Sequence, residues 1–340
     1  MFSSPIKHWK KYCTLLFLVI LLIIWYGIFG FHKKNPGYFY NTQNNAVWLE
    51  HRFSEDFTED SEIEKLAREL HSHAIRYVFL HAGPFESDGT ISAQKYQAAS
   101  RFLKIARQTE PDIIWLAWIG QLRSLVNIDD PSIRFNMVKT AEILTRTIGF
   151  DGIHVNIEPI PHGNASFLLL LKEMRNSLGD SSFLSVTSDE WQSQWMSEIL
   201  SFLLRRQIES YWGTSYFTQV GSIVDQIVVM TYDSRLTKPW LYSWWVEQQT
   251  IYSTKALKGT RAKILIGIPV YKKASASFFP EAENITTGLI GITRGLNNIR
   301  ATLSAFDGVA LYPYWTLEEQ DWKEYDRLWG KAKNGYSGNL

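Results

Sequence analysis

The sequence predicts an α/β chain whose bulk closes into a single (β/α)8, or TIM, barrel behind one apolar N-terminal transmembrane helix. Three observations carry this. From residue 46 onward, segments of strand character alternate with segments of helical period to the end of the chain, the pattern of a parallel sheet crossed over by helices. Eight β/α units over about 250–300 residues make a closed barrel. No Gly-rich phosphate loop follows the first strand segment, which weakens the competing doubly wound open sheet.

In order, residues 1–11 form a short tail and residues 12–31 a continuous apolar run. About 20 such residues cross a bilayer as one helix. The run exceeds the usual length of a signal-peptide core, and no small-x-small cleavage site follows it. Lys7, Lys10 and Lys11 precede it while Lys33 and Lys34 follow it, a slight bias that puts the amino terminus inside and the barrel outside the cell membrane. Residues 32–45 read as a polar linker with turn chemistry, and residues 46–340 as the barrel. Its strands are expected at 46–51, 77–82, 113–118, 152–157, 183–187, 226–232, 263–270 and 308–314. The helices are expected at 61–71, 93–108, 131–148, 166–178, 192–206, 240–258 and 287–304, with 317–329 closing the series.

Composition narrows the function. A net charge of +1 gives no electrostatic reason to expect nucleic acid as a partner. Aromatic residues make up 14% of the chain, with 14 Trp and 16 Tyr, more than packing alone requires. Such rings stack on the apolar faces of sugars while offering a polar edge. The single cysteine, Cys13, lies beside the apolar run and excludes an internal disulfide. No His and carboxylate cluster has metal-ligand spacing, so neither a metal nor a cofactor is expected; His71 and His73 read as a solvated pair at a helix end. No Gly-x-Ser-x-Gly elbow is present. Asn164-Ala-Ser and Asn284-Ile-Thr fit the glycosylation pattern.

The stretch from Phe150 to Pro159 concentrates the chemistry. As a strand it alternates sides: Ile153, Val155 and Ile157 face the helices, while His154, Asn156 and Glu158 face the middle of the fold. Burying His, Asn and Glu in a row is costly unless they bond to each other or to a ligand. One reading is a satisfied structural network. The other is a site, favoured because Glu158 comes last, where a barrel strand opens into its loop.

With the fourth and sixth strands in view, the chain resembles glycoside hydrolase family 18, the chitinases and related endo-N-acetylglucosaminidases. The family's Asp-x-x-Asp-x-Asp-x-Glu after Phe-Asp-Gly is matched by Asp151-Gly-Ile-His154-Val-Asn156-Ile-Glu158, and its Met-x-Tyr-Asp by Met230-Thr-Tyr232-Asp233. The second strand, Tyr77 to His81 leading to Asp88-Gly89-Thr90, and the eighth, Gly308 to Trp315, also look similar. The resemblance spans about residues 46–330. Both inner aspartates are replaced, by His154 and Asn156, while the acid is kept.

The resemblance implies a glycosidase that lacks a carboxylate nucleophile and uses the 2-acetamido oxygen of its substrate, outside the usual two-carboxylate scheme. It implies Glu158 as general acid and base, Asn156 orienting the acetamido group, Tyr232 bonding the acetamido oxygen, and Asp233 binding or polarising the sugar. Asp151, His154 and Met230 enter as substrate-binding candidates from the two motifs, with Tyr312, Tyr314 or Trp315 as the aromatic floor. Packing aromatics are the ordinary alternative for Tyr232 and Trp315. Asp189 and Glu190 match no motif and read as loop surface. The expected function is thus a membrane-anchored glycosidase acting on an N-acetylhexosamine-containing oligosaccharide or polysaccharide outside the cell. The competing function is an inactive carbohydrate-binding barrel. An Asn-Glu-Pro two-carboxylate barrel does not fit, because Ile157 separates Asn156 from Glu158 and the seventh strand, Gly267 to Lys273, carries no Glu.

Overall fold

The computed structural model describes residues 40–193 and 211–330, together with Tyr12, Thr14, Leu18 and Val19. The apolar run at 12–31 lies almost wholly outside the described residues, as does most of the helix expected at 192–206. Among the described residues no helix is long and apolar enough to cross a membrane.

Eight parallel strands close into one barrel in sequence order. They are β1 (Asn45–Leu49), β2 (Ile75–His81), β3 (Ile114–Leu122), β4 (Gly152–Glu158), β5 (Phe183–Ser188), β6 (Gln226–Met230), β7 (Lys263–Pro269) and β8 (Phe306–Tyr312). A helix follows each: α1 (Asp60–Ser72), α2 (Ala99–Thr109), α3 (Pro131–Glu142), α4 (Ala165–Leu178), α5 (Thr214–Gly221), α6 (Pro239–Ala256), α7 (Ile285–Asn297) and α8 (Glu319–Leu328).

The period-2 alternation separates two cores. Outward rows such as Val47, Leu49, Val78, Leu80, Ile153 and Val155 join the helices in one continuous apolar layer. Inward residues Ala46, Trp48, Tyr77, Phe79, Leu116, Val228, Leu265 and Ala310 fill the barrel itself. A closed barrel of this size is a packed core rather than a pore, so a polar inward side chain needs a partner or an opening.

Local chemistry sets the helix starts. Asn164 caps α4 by accepting from the Phe167 amide at 2.7 Å, and Asn284 caps α7 in a reciprocal box with Thr287. Both asparagines that fit the glycosylation pattern are therefore N-caps, the commonest use of Asn at such positions. Asp130 caps α3 ahead of Pro131, and that helix runs into a π-turn at Ile143–Ile148 before Gly149 ends it with φ 100°.

Four expectations need adjusting. The segment expected as one helix at 93–108 is a 3-10 turn at Ala93–Tyr96 followed by α2. Helix α5, at Thr214–Gly221, lies beyond the helix expected at 192–206. β6 stops at Met230 and β8 at Tyr312, each two residues early. After β8 the chain turns through Pro313, which removes an amide donor, into a 3-10 turn at Tyr314–Thr316. After β6, Asp233 takes a left-handed φ of 58°, which no strand can continue.

Candidate active site

The inward row of β4 climbs the barrel from His154 through Asn156 to Glu158, and each step meets different company. His154 is fully buried and stacks on Phe79 with ring centroids 3.8 Å apart. The Trp48 indole N–H donates to its Nε2 at 3.1 Å. The proton therefore sits on Nδ1, which donates to the Ser185 hydroxyl at 2.8 Å, and Ser185 donates onward to Gln226 Oε1 at 2.8 Å. Burial holds the imidazole well below its ordinary pKa, so it is neutral. His154 thus realises the structural-network reading, and its place in the barrel's interior layer takes it out of reach of substrate.

One step up, the Thr187 hydroxyl donates to Asn156 Oδ1. That fixes the amide: its nitrogen faces Glu158 and hydrogen-bonds the carboxylate. Glu158 ends the strand. Burial is the main influence and raises its pKa, the Asn156 hydrogen bond lowers it, and Asp233 raises it again. Asn156 and Glu158 open onto a cavity of about 220 Å³ whose other walls include His81, Trp118 and Gln121. Gly120 is required here: a Cβ at this position would lie 2.0 Å from the Asn156 carbonyl oxygen.

The segment after β6 faces Glu158. The Tyr232 ring stacks on Tyr312 at 5.2 Å, Tyr271 stands edge-on to Tyr312 at 5.6 Å, and the Trp48 edge meets both Tyr232 and Tyr312. Burial and then the Glu158 charge push the Tyr232 hydroxyl well above its ordinary pKa, so it remains a proton donor at every working pH. Asp233 accepts from the Ser277 hydroxyl at 2.7 Å. Trp315, 43% exposed, stands edge-on to Tyr312 at 5.7 Å. Met230 is buried at the end of β6.

Two candidates lie elsewhere. Asp151 precedes β4 and accepts from the Trp115 amide at 2.8 Å while pairing with Arg107 at 2.9 Å. A strand of this length puts it about 20 Å from Glu158, at the other end of the barrel; it anchors a strand and does not meet substrate. Tyr314 turns outward and donates to Glu69 of α1 at 3.1 Å, because the chain has left the strand at Pro313.

The structure also adds residues. His81 lines the cavity, and burial lowers its pKa to about 4. Trp48 joins the His154 network to the tyrosine floor. Asp189 is pushed up to about 7 by burial, by Glu190 and by Glu158; it is not free loop surface. All three continue inward alternations visible in their strands, a signal that a search confined to motifs passes over. Among the described residues no group of three His, Cys, Asp or Glu side chains could hold a metal ion.

The family model described as glycosyl hydrolases family 18 matches residues 41–333. The chain belongs to this family. As a family 18 protein it is a glycosidase. Among solved structures it is similar to the Bacillus cereus spore cortex-lytic enzyme SleL, at TM-score 0.58 and 13% identity over 86% of this chain and 76% of that one. It is also similar to a chitinase from Chromobacterium violaceum, at TM-score 0.58 and 12% identity over 85% and 99%. A family 18 chitinase from Cycas revoluta in complex with allosamidin matches at TM-score 0.56 and 14% identity over 84% and 100%. No curated protein matches the chain. At these identities the structural likeness speaks for the fold alone.

Proposed function

We propose that this protein is a membrane-anchored glycosidase that cleaves N-acetylhexosamine-containing glycans outside the cell, with the substrate's own 2-acetamido oxygen as nucleophile. The observation that carries the reading is Glu158, an acid of raised pKa at the end of β4. Its charge is felt by Tyr232 and Asp233 acts on it in turn, while the end of β7 and the residues just after it, Gly267-Ile-Pro-Val-Tyr271, carry no carboxylate. A mutant of a class V chitinase from Cycas revoluta has been solved in complex with (GlcNAc)3, which makes an acetamido sugar the natural first substrate to try.

In the proposed cycle Glu158 donates its proton to the departing glycosidic oxygen while the acetamido oxygen attacks the anomeric carbon. The leaving sugar departs as the alcohol and an oxazolinium ring forms. Glu158, now a carboxylate, takes a proton from water, which opens the ring at the anomeric carbon. Two inversions give net retention. Asn156 Oδ1 has a second lone pair with which to accept the acetamido N–H, and the Tyr232 hydroxyl donates to the acetamido oxygen. Tyr312 and Trp315 supply the apolar floor. Anchoring rests on the apolar run at 12–31. Protease treatment of intact cells should remove the barrel, and its protection would reverse the proposed orientation.

The test is Glu158→Gln assayed on acetamido and plain glucosides. Turnover should fall about 10²–10⁴-fold, the scale of a general acid, with oligosaccharide binding retained. The anomeric product seen by NMR should be retained. An inverted product or efficient cleavage of plain glucosides would defeat the acetamido mechanism. A wild-type protein that binds these sugars without cleaving them would support the binding-barrel reading, to which the loss of both inner aspartates of the motif lends its weight.

A further inference from the structure

Glu283 is a carboxylate that the proposed cycle does not use. It lies in the loop between β7 and α7, directly before the Asn284 cap, and it is fully buried. Among the described residues no basic side chain pairs with it. Such a group is costly to bury unless hydrogen bonds replace its water. Its side-chain bonds go to the turn after β6. The Ser234 hydroxyl donates to Oε1 at 2.9 Å, and the Ser234 amide approaches Oε2 at 3.5 Å. The Asp233 amide acts on the same carboxylate.

That turn needs holding. Asp233 and Arg235 both take left-handed φ angles, 58° and 61°, which residues other than Gly keep only where the surroundings over-determine them. Upstream, the Thr231 hydroxyl donates to the Gly267 carbonyl at 2.6 Å, and the Tyr242 hydroxyl donates to the Thr231 carbonyl at 2.6 Å. Asp233 itself is held by the loop after β7. Its Oδ1 accepts from the Ser277 hydroxyl at 2.7 Å, and the Arg235 amide donates to the Ser277 carbonyl at 2.8 Å. Ser277 thus holds the Asp233 side chain, and Glu283 holds the backbone behind it.

We infer that Glu283 is a positioning residue for Asp233, fixing the turn after β6 from the loop after β7. The inference rests on the reading of Glu158 as the general acid with Asp233 acting on it. The Asp233 charge raises the Glu158 pKa, and a like charge does so only while it stays close. Successive amides of a turn with left-handed residues form a concavity that favours an anion, and the Glu283 carboxylate occupies this one. Burial is the main influence on Glu283 and raises its pKa to about 7; the Ser234 bonds lower it and the Asp233 charge raises it. Near neutral pH it is divided between both forms, and each keeps an oxygen that accepts from Ser234. Tyr242 also feels Glu283: burial first, and then this charge, holds its hydroxyl well above the ordinary pKa. Glu283, fully buried, acts through Asp233 and does not meet the sugar.

The experiment is a double-mutant cycle, with kcat and the pH profile of kcat/KM measured on an acetamido-sugar substrate. It compares the wild type, Glu283→Ala, Asp233→Asn and the double variant, each shown to be folded by circular dichroism and thermal melting. Glu283→Ala should lower kcat by about 10²-fold, the scale of a small misplacement in a site. Its alkaline limb should move to lower pH, because Glu158 loses part of the charge that raises its pKa, and Asp233→Asn should move the limb the same way. With Asp233 already replaced, Glu283→Ala should change kcat by no more than about twofold. If the Ala variant fails to fold, Glu283→Gln takes its place. It keeps the volume and one acceptor but turns a donor towards the Ser234 amide, and should cost about tenfold in kcat, the scale of one lost hydrogen bond, with the same limb shift. A Glu283 variant with wild-type kcat, an unmoved limb, or losses that multiply in the double variant would each overturn the inference. Wild-type protein inert towards acetamido sugars, a fully active Glu158→Gln, or an Asp233→Asn enzyme with the wild-type profile would instead remove the reading beneath it.

Discussion

The two ends of one short row on β4 solve the same problem in opposite ways. His154 and Glu158 sit on the same face of the same strand, about 13 Å apart. At His154 every ring nitrogen has a partner, the ring stacks on Phe79, and the side chain is fully buried. At Glu158 the acid has one amide donor, a second carboxylate beside it, and a cavity in front. A polar group sealed by partners makes a core; the same kind of group left short of partners at an opening makes a reagent. Proximity to a motif therefore does not decide the role, and partner supply does.

The two rows also answer pH in opposite senses. The His154 pKa is depressed in the folded state, so its contribution to stability is present above the unfolded value of about 6.5 and is lost as pH falls below it, when only the unfolded chain takes up the proton. Glu158 and Asp189 have raised pKa values. Their contribution is complete below the unfolded values of about 4 and is lost as pH rises through the folded ones, about 7 for Asp189.

The comparison can be broken at either row. The largest effect should come from the upper one: Asn156→Ala should lower kcat by about 10²-fold or more, the scale of one preorganised polar group. Asn156→Asp should keep or raise activity on acetamido sugars. Steady-state kinetics on both variants decide it, and an Ala variant with unchanged kcat would put Asn156 with the structural residues. The lower row should respond in stability instead. His154→Leu strips Trp48 and Ser185 of their partner and should cost about 2–4 kcal/mol, measured by urea unfolding at pH 7.5. Its stability should fall less steeply than the wild type's between pH 6.5 and 4.5, because a titrating group is gone. A variant with wild-type stability at pH 7.5, or the same acid slope, would show that the network is not what holds the row.

Much was legible in the chain. All eight strands, and the inward direction of His154, Asn156 and Glu158, follow from a period of two that each segment carries in its own residues. The acid at a strand's end and the Tyr232-Asp233 pair were visible as local motifs. What was not legible depended on neighbours distant in sequence. Whether His154 meets a ligand turned on Trp48 and Ser185, contributed by two other strands. Tyr314 left the site because Pro313 ended β8, and Glu69 of a helix far back in the chain took its hydroxyl. Asp151 shares a motif with Glu158 yet lies at the other end of the barrel, since a strand separates in space what it joins in sequence. Asp189 shows the division most clearly. Its residue type and its place just past the end of β5 were in the sequence, but its coupling to Glu158 exists only when strands four and five pair. Alternation belongs to the single strand, whereas adjacency belongs to the closed barrel.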